Sequence, residues 1–124
     1  MQESIKAYLA SQGLQPSIEE PGIFFKYQMR NFWILDSGDD EQFLRLVMPG
    51  LMDVDENNRA DVLEACNMVT AGMKVAKCFI SDNSDVWLAT EQLLDSDPDF
   101  GDIIPRSLNI LLIAHDEFRK AIQG

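Results

Sequence analysis

Residues Lys74 to Leu94 constrain the chain most. The stretch reads Lys-Val-Ala-Lys-Cys-Phe-Ile, then Ser81-Asp82-Asn83-Ser84-Asp85, then Val-Trp-Leu-Ala-Thr-Glu-Gln-Leu-Leu. Two runs rich in β-branched and aromatic residues flank a block of turn formers. Apolar side chains of that kind favour a pleated, half-buried surface, and Asp, Asn and Ser tolerate a tight reversal. The pattern predicts a β-hairpin. Helical periodicity stands on both sides of it, so the hairpin is expected at the centre of the core.

The rest of the chain is read outward from there. Ser4 to Ser11 carries Ile5, Tyr8 and Leu9 on one helical face, with Gly13 as a C-terminal cap. Pro16 and Pro21 bracket an extended connector. Gly22 to Gln28 alternates, with Ile23, Phe25 and Tyr27 on one side and Phe24 and Lys26 on the other. Met29-Arg30-Asn31 reads as a turn. Phe32 to Asp36 and Glu41 to Met48 alternate again, which predicts an antiparallel meander of three strands.

Asp55 to Met73 is expected to form a second helix, with Val62, Cys66, Val69 and Met73 as one apolar stripe and Asn57 or Asn58 at its start. A third helix is expected over Ile103 to Ile122, with Pro105 in its first turn. Ile104, Leu108, Leu111, His115, Phe118 and Ile122 form its stripe, while Ile103, Ile110 and Ile113 read as a second apolar side. The expected order is helix, three strands, helix, two strands, helix. This is an α+β domain over residues 1–124 with a five-stranded antiparallel sheet.

At 124 residues and 46% apolar content, the chain has enough material for one core. Its 21 acidic and 10 basic side chains leave a formal charge of −11. Phosphate backbones and anionic membranes repel such a chain, so neither nucleic acid nor a membrane is an expected partner. No apolar run is long enough to span a bilayer, and Met1-Gln-Glu-Ser does not open a secretory leader. Cys66 and Cys78 are the only cysteines, and both fall in apolar patterns. They are read as free, buried thiols in a cytoplasmic protein.

The order of elements, together with Asn67-Met-Val-Thr-Ala-Gly-Met-Lys74 and Lys77-Cys-Phe-Ile-Ser-Asp82-Asn-Ser-Asp85-Val-Trp-Leu, resembles the YbjN family of bacterial sensory-transduction-regulator-type domains. The resemblance implies a type III secretion chaperone-like fold. It also implies a small, non-enzymatic, often dimeric binding domain. It carries no site residues over to this chain.

The sharpest local pattern is acidic. From Asp53 to Glu64, a twelve-residue calcium loop would place Asp53, Asp55 and Asn57 at positions 1, 3 and 5, Asp61 at 9 and Glu64 at 12. Position 6 is Asn58 rather than Gly, and Pro49-Gly50 excludes a preceding helix. An acidic loop entering a helix is the expected reading, with calcium as the alternative. The segment from Asp95 to Asp99 imitates the same opening but has Phe100 and Arg106 at the critical positions. His115 stands alone on an apolar stripe and reads as a boundary residue. No nucleophile triad, phosphate loop or zinc spacing is present, so no catalytic residue, cofactor or metal is assigned.

What remains is surplus apolar surface. Three helices cover one face of a sheet, yet both faces of most strands carry large apolar residues, Phe24, Trp33 and Trp87 among them. Either a partner chain or the first helix and connector must cover the excess. The expected function is protein binding as a chaperone-like or regulatory adaptor. A homodimer is expected, with Phe24, Trp33, Trp87, Ile103, Ile110 and Ile113 as candidate surface. The alternative is a small-ligand or ion-sensing domain.

Overall fold

The computed structural model describes residues 1–124. Its elements are α1 (Gln2–Ser11), β1 (Ser17–Glu19), β2 (Gly22–Tyr27), β3 (Arg30–Leu35), β4 (Phe43–Met48), α2 (Arg59–Gly72), β5 (Ala76–Ile80), β6 (Val86–Leu93) and α3 (Phe100–Gln123). The strands form a single antiparallel sheet in the order β1-β2-β3-β4-β6-β5.

Six strands replace the expected five. The addition is β1, which lies in the proline-bracketed connector and pairs with β2 through Ser17↔Phe24, Ile18↔Ile23 and Glu19↔Gly22. All three of its residues are exposed, so it has no apolar alternation to betray it. Gly22 follows the reversal. A Cβ there would lie 2.1 Å from the Ile34 carbonyl oxygen, so only glycine allows β2 and β3 to approach this closely.

The meander of β2, β3 and β4 forms as expected, but its first turn is shifted. Gln28 and Met29 alone make the reversal, both at positive φ, and Arg30 already belongs to β3. The hairpin of β5 and β6 also forms, around Ser81 to Asp85. Only β6 is internal, paired to β4 on its other side; β5 is a sheet edge.

Each helix starts away from its expected position, α1 two residues early at Gln2 and the other two by more. α2 begins at Arg59, because Asp55 to Asn58 forms a turn: the Asp55 carboxylate accepts the amides of Asn57 and Asn58. Asn58 occupies the N-cap, but its side chain turns back to accept the Asp55 amide and gives the helix no cap bond. α3 begins at Phe100, so Pro105 lies inside the helix rather than in its first turn. The ring removes one rung, but the carbonyl it frees belongs to exposed Gly101. α1 ends as expected. Gly13 (φ 81°) donates to Ala10 and Leu14 donates to Leu9, a Schellman closure.

One apolar cluster of 24 buried residues joins all three helices to one face of the sheet. Ile23 and Phe25 of β2, Phe32 and Ile34 of β3, Leu44, Leu46 and Met48 of β4, and Val86 and Leu88 of β6 point into it. Ile5 and Leu9 of α1, Val62, Cys66 and Val69 of α2, and Ile104, Leu108, Leu111 and Phe118 of α3 meet them. Each large side chain buried this way contributes about 1.5–3 kcal/mol. Because α1 is committed to this core and the connector adds an edge strand, neither wraps over the other face of the sheet. No helix is long and apolar enough to cross a membrane.

Candidate functional site

Strand alternation decides what the uncovered face carries. Residues between the core-facing ones point the other way, and the pairing register lines them up in rows across the sheet. One row runs Phe24, Trp33, Val47, Ala89 and Lys77. The next toward one end runs Leu35, Arg45 and Glu91, then Phe43 opposite Leu93. Toward the other end Trp87 pairs with Phe79.

Aromatic contacts knit this face together. The rings of Phe24 and Trp33 are 5.1 Å apart and those of Phe79 and Trp87 6.2 Å apart. Between the two pairs Val47 and Ala89 are wholly buried although no helix lies over them. Their neighbours on the same face do the shielding, and those neighbours are themselves half-buried, while Leu93 at the end is 87% exposed. Two cations lie against aromatic rings: the Arg45 guanidinium 5.7 Å from the Phe43 centroid and Lys77 Nζ 5.5 Å from that of Phe79.

Glu91 is the polar hub of this face. It accepts from Arg45 Nε at 2.6 Å and pairs with Lys77 Nζ at 2.9 Å. The hydrogen bond from Lys77 is the largest influence, and with Arg45 it holds the Glu91 carboxyl below its usual range against partial burial. Trp87 is fixed in turn by Asp85, whose carboxylate oxygens both lie 3.1 Å from the indole nitrogen, with Oδ1 also accepting from the Ser81 hydroxyl. The aromatic surface is therefore oriented by polar contacts at its margin.

Of the six candidate surface residues, Phe24, Trp33 and Trp87 share this face. Ile103, Ile110 and Ile113 lie on the helix layer, on the opposite side of the molecule. They do not form the second side expected of α3 either. Ile103 and Ile110 are half-buried on the flank of the core stripe, beside Val75 and Leu93, and Ile113 is 45% exposed. Ile113 instead lines an open groove of 460 Å³ between α2 and α3, with Met68, Val69, Met73 and Ala121.

The acidic loop does not assemble a cation site. Asp53 is drawn into a bridge opposite Asp85, and the Asp55 carboxylate is occupied by backbone amides. Asp61 and Glu64 are already helical and exposed on α2. No three acidic, histidine or cysteine side chains converge anywhere in the chain. His115 lies at the boundary as expected, where its Nδ1 accepts from Arg30 Nε at 3.2 Å. Asp95 to Asp99 forms a loop in which the Asp95 carboxylate caps the Asp97 amide.

Sequence alternation sets Phe24 and Trp33 apart from their core-facing neighbours, and Trp87 falls on the same face as they do. Alternation misses Arg45, Lys77 and Glu91 as a unit, because cross-strand partners depend on register, which spacing alone does not supply.

Three helices on one face of a six-stranded antiparallel sheet make this an α+β fold. The chain is similar in structure to YbjN from E. coli, described as a candidate transcription regulator, with a TM-score of 0.70 at 10% identity over 91% of this chain and 87% of that one. It is also similar to an uncharacterized protein from Methanothermobacter thermautotrophicus, with a TM-score of 0.69 at 15% identity over 98% and 96% of the two chains. At these identities the likeness is one of fold. No protein-family model and no curated protein matches the sequence.

Proposed function

We propose that this chain is a non-enzymatic regulatory binding domain that docks a second copy of itself on the open face of its sheet. The observation that carries the reading is the two half-buried aromatic pairs, Phe24–Trp33 and Phe79–Trp87, on the sheet face that no helix covers. Aromatic side chains left partly open on a helix-free face are the kind a partner chain covers.

Charge selects the partner. Lys26, Arg45 and Lys77 stand on this face against Glu19, Asp53, Asp85 and Glu91, so the face is near neutral while the chain carries −11. Two copies meet here with the least repulsion, and closed twofold pairs are the commonest assembly. The same net charge opposes direct contact with nucleic acid. A regulatory role like that suggested for YbjN is then exerted through protein contact. The reading treats residues 1–124 as one cytoplasmic domain and requires no cofactor.

A second arrangement is favoured by one observation: Ile113 and Met68 are 45% and 56% exposed beside the groove between α2 and α3. There the second copy would seat on the helix layer. Sedimentation equilibrium separates the two. Wild-type protein is expected to be a dimer at high micromolar concentration. A Trp33→Glu/Trp87→Glu variant is expected to be a monomer with native circular dichroism, while Ile113→Asp remains dimeric. A monomeric wild type, or a dimeric double variant, refutes the sheet-face reading. A folded monomer from Ile113→Asp alone moves the interface to the helices.

A further inference from the structure

Two thiols meet on the inner side of the edge strand, away from the open face. Cys66 on α2 and Cys78 on β5 are separated by twelve residues, yet their sulfur atoms lie 3.4 Å apart. Both thiols are free, and they are 4% and 7% exposed. Thr70, one helical turn beyond Cys66, bonds to both the amide and the carbonyl of Cys78, at 2.8 and 3.2 Å. One turn of α2 therefore holds the Cys78 backbone in place and sets the two sulfurs against each other.

We propose that Cys66 and Cys78 are a dithiol redox site that hydrogen peroxide converts to an intrachain disulfide locking α2 to β5.

The two thiols have different roles. The Cys78 thiol donates a hydrogen bond to Cys66, which lowers the Cys66 pKa against the effect of burial. The same bond, with burial added, raises that of Cys78. The thiolate that this hydrogen bond stabilises attacks peroxide, with Cys66 taken in that role. The attack forms a Cys66 S–O bond, breaks the O–O bond and releases hydroxide, which takes up a proton as water. Cys78 sulfur then attacks the Cys66 sulfenic sulfur. The S–S bond forms, the S–O bond breaks, and the departing hydroxide leaves as water with the Cys78 proton. Overall two thiols lose two electrons to one peroxide, giving a disulfide and two waters. A dithiol reductant reverses the change by exchange.

Burial confers selectivity. Hydrogen peroxide and a small dithiol are hindered by it less than a bulky protein disulfide. The link would close a short loop between a helix and the last strand of the sheet. Its effect is expected in the stability of that edge.

The test is mass spectrometry of the full chain after hydrogen peroxide treatment, with alkylation under denaturing conditions before and after reduction. The expected result is loss of both alkylatable thiols, a Cys66–Cys78 peptide that disappears with dithiothreitol, and a melting temperature raised by about 10 °C. Cys66→Ala and Cys78→Ala are each expected to form no intrachain link and to show no rise. Two thiols that survive peroxide, stepwise oxidation of either sulfur to sulfinic acid without a crosslink, or chains crosslinked to one another would each overturn the proposal. The wild-type mass measurement decides the question even if a variant folds poorly.

Discussion

The Thr70 hydroxyl caps the free edge of the sheet at Cys78. From α2 it accepts the Cys78 amide at 2.8 Å and donates to the Cys78 carbonyl at 3.2 Å. β5 is the last strand, and an edge strand with open amides and carbonyls invites pairing with another chain. One side chain satisfies both groups that Cys78 would otherwise present. Thr70→Val keeps the shape and removes both bonds. It is expected to cost about 1–3 kcal/mol, because two backbone groups lose their partner. Urea denaturation measures that loss, and light scattering after mild heating should show faster aggregation. Thr70→Ser should restore most of both. A Val variant as stable as wild type would show that water replaces the hydroxyl at no cost.

The turn between β2 and β3 is the place to gain stability. Gln28 and Met29 hold φ of 50° and 63°, and Met29 is completely exposed. A two-residue reversal with both centres left-handed is the type I′ turn, for which Asn-Gly is the preferred pair. Side chains other than Gly and Asn carry a penalty of roughly 1–2 kcal/mol each in that region. Gln28→Asn/Met29→Gly is expected to stabilise the protein by about 1–2 kcal/mol, since the extra chain entropy of glycine offsets part of the relief. A higher urea midpoint with unchanged slope is the predicted readout. An unchanged or lower midpoint would contradict it.

That turn also shows where local pattern fails as a guide. Gln28 and Met29 are not turn formers, so Met29-Arg30-Asn31 looked like the better reversal, and only strand pairing placed it one residue earlier. β1 was illegible for a related reason. A short exposed strand between prolines owes its existence to a neighbour, and Ser17-Ile-Glu19 has no period of its own. The stripes of α2 and of the long helix α3 were legible because burial on one side writes its own spacing: Val62, Cys66 and Val69, then Ile104, Leu108, Leu111 and Phe118, are all buried. Half of the candidate site was legible in the same way. Alternation put Phe24 and Trp33 outward, but nothing local says that Glu91 stands between Arg45 and Lys77, or that Cys66 touches Cys78.

His115 gives the fold a pH dependence on the acid side of neutrality. Burial is the main reason its pKa is lowered; the Arg30 and Arg119 charges add to it, and Asp116 opposes. Arg30 donates to Nδ1, so the neutral ring is the form that fits. The folded state binds a proton less readily than the unfolded chain, whose histidine titrates near 6.5. Stability is therefore at its full value above about pH 6.5. As pH falls below that, the unfolded state gains protons first and stability declines. The decline ends once pH passes below the folded pKa. Urea denaturation at pH 7.5 and 5.5 should show wild type losing stability and His115→Gln losing clearly less. Equal losses would assign the dependence to the carboxylates.

Thr90 is the one buried side chain whose polar atom has no partner. Its hydroxyl is fully enclosed on the core face of β6, where the register sets it between Leu46 and Ala76. Neighbouring Gln92 avoids the same fate by donating to Ser107 of α3, whose hydroxyl in turn donates to the Ile103 carbonyl at 2.8 Å. A hydroxyl buried without a hydrogen bond costs about 1–3 kcal/mol relative to water. Valine has nearly the same shape, exchanges the hydroxyl for a methyl group and favours strands. Thr90→Val is therefore expected to raise stability by about 1 kcal/mol or more, read as a higher urea midpoint at constant slope. Thr90→Ser retains the hydroxyl, opens a methyl-sized gap and should lower it. A Val variant less stable than wild type would mean that the Thr90 hydroxyl has a partner in solution, and a bridging water is the group to look for in a crystal structure.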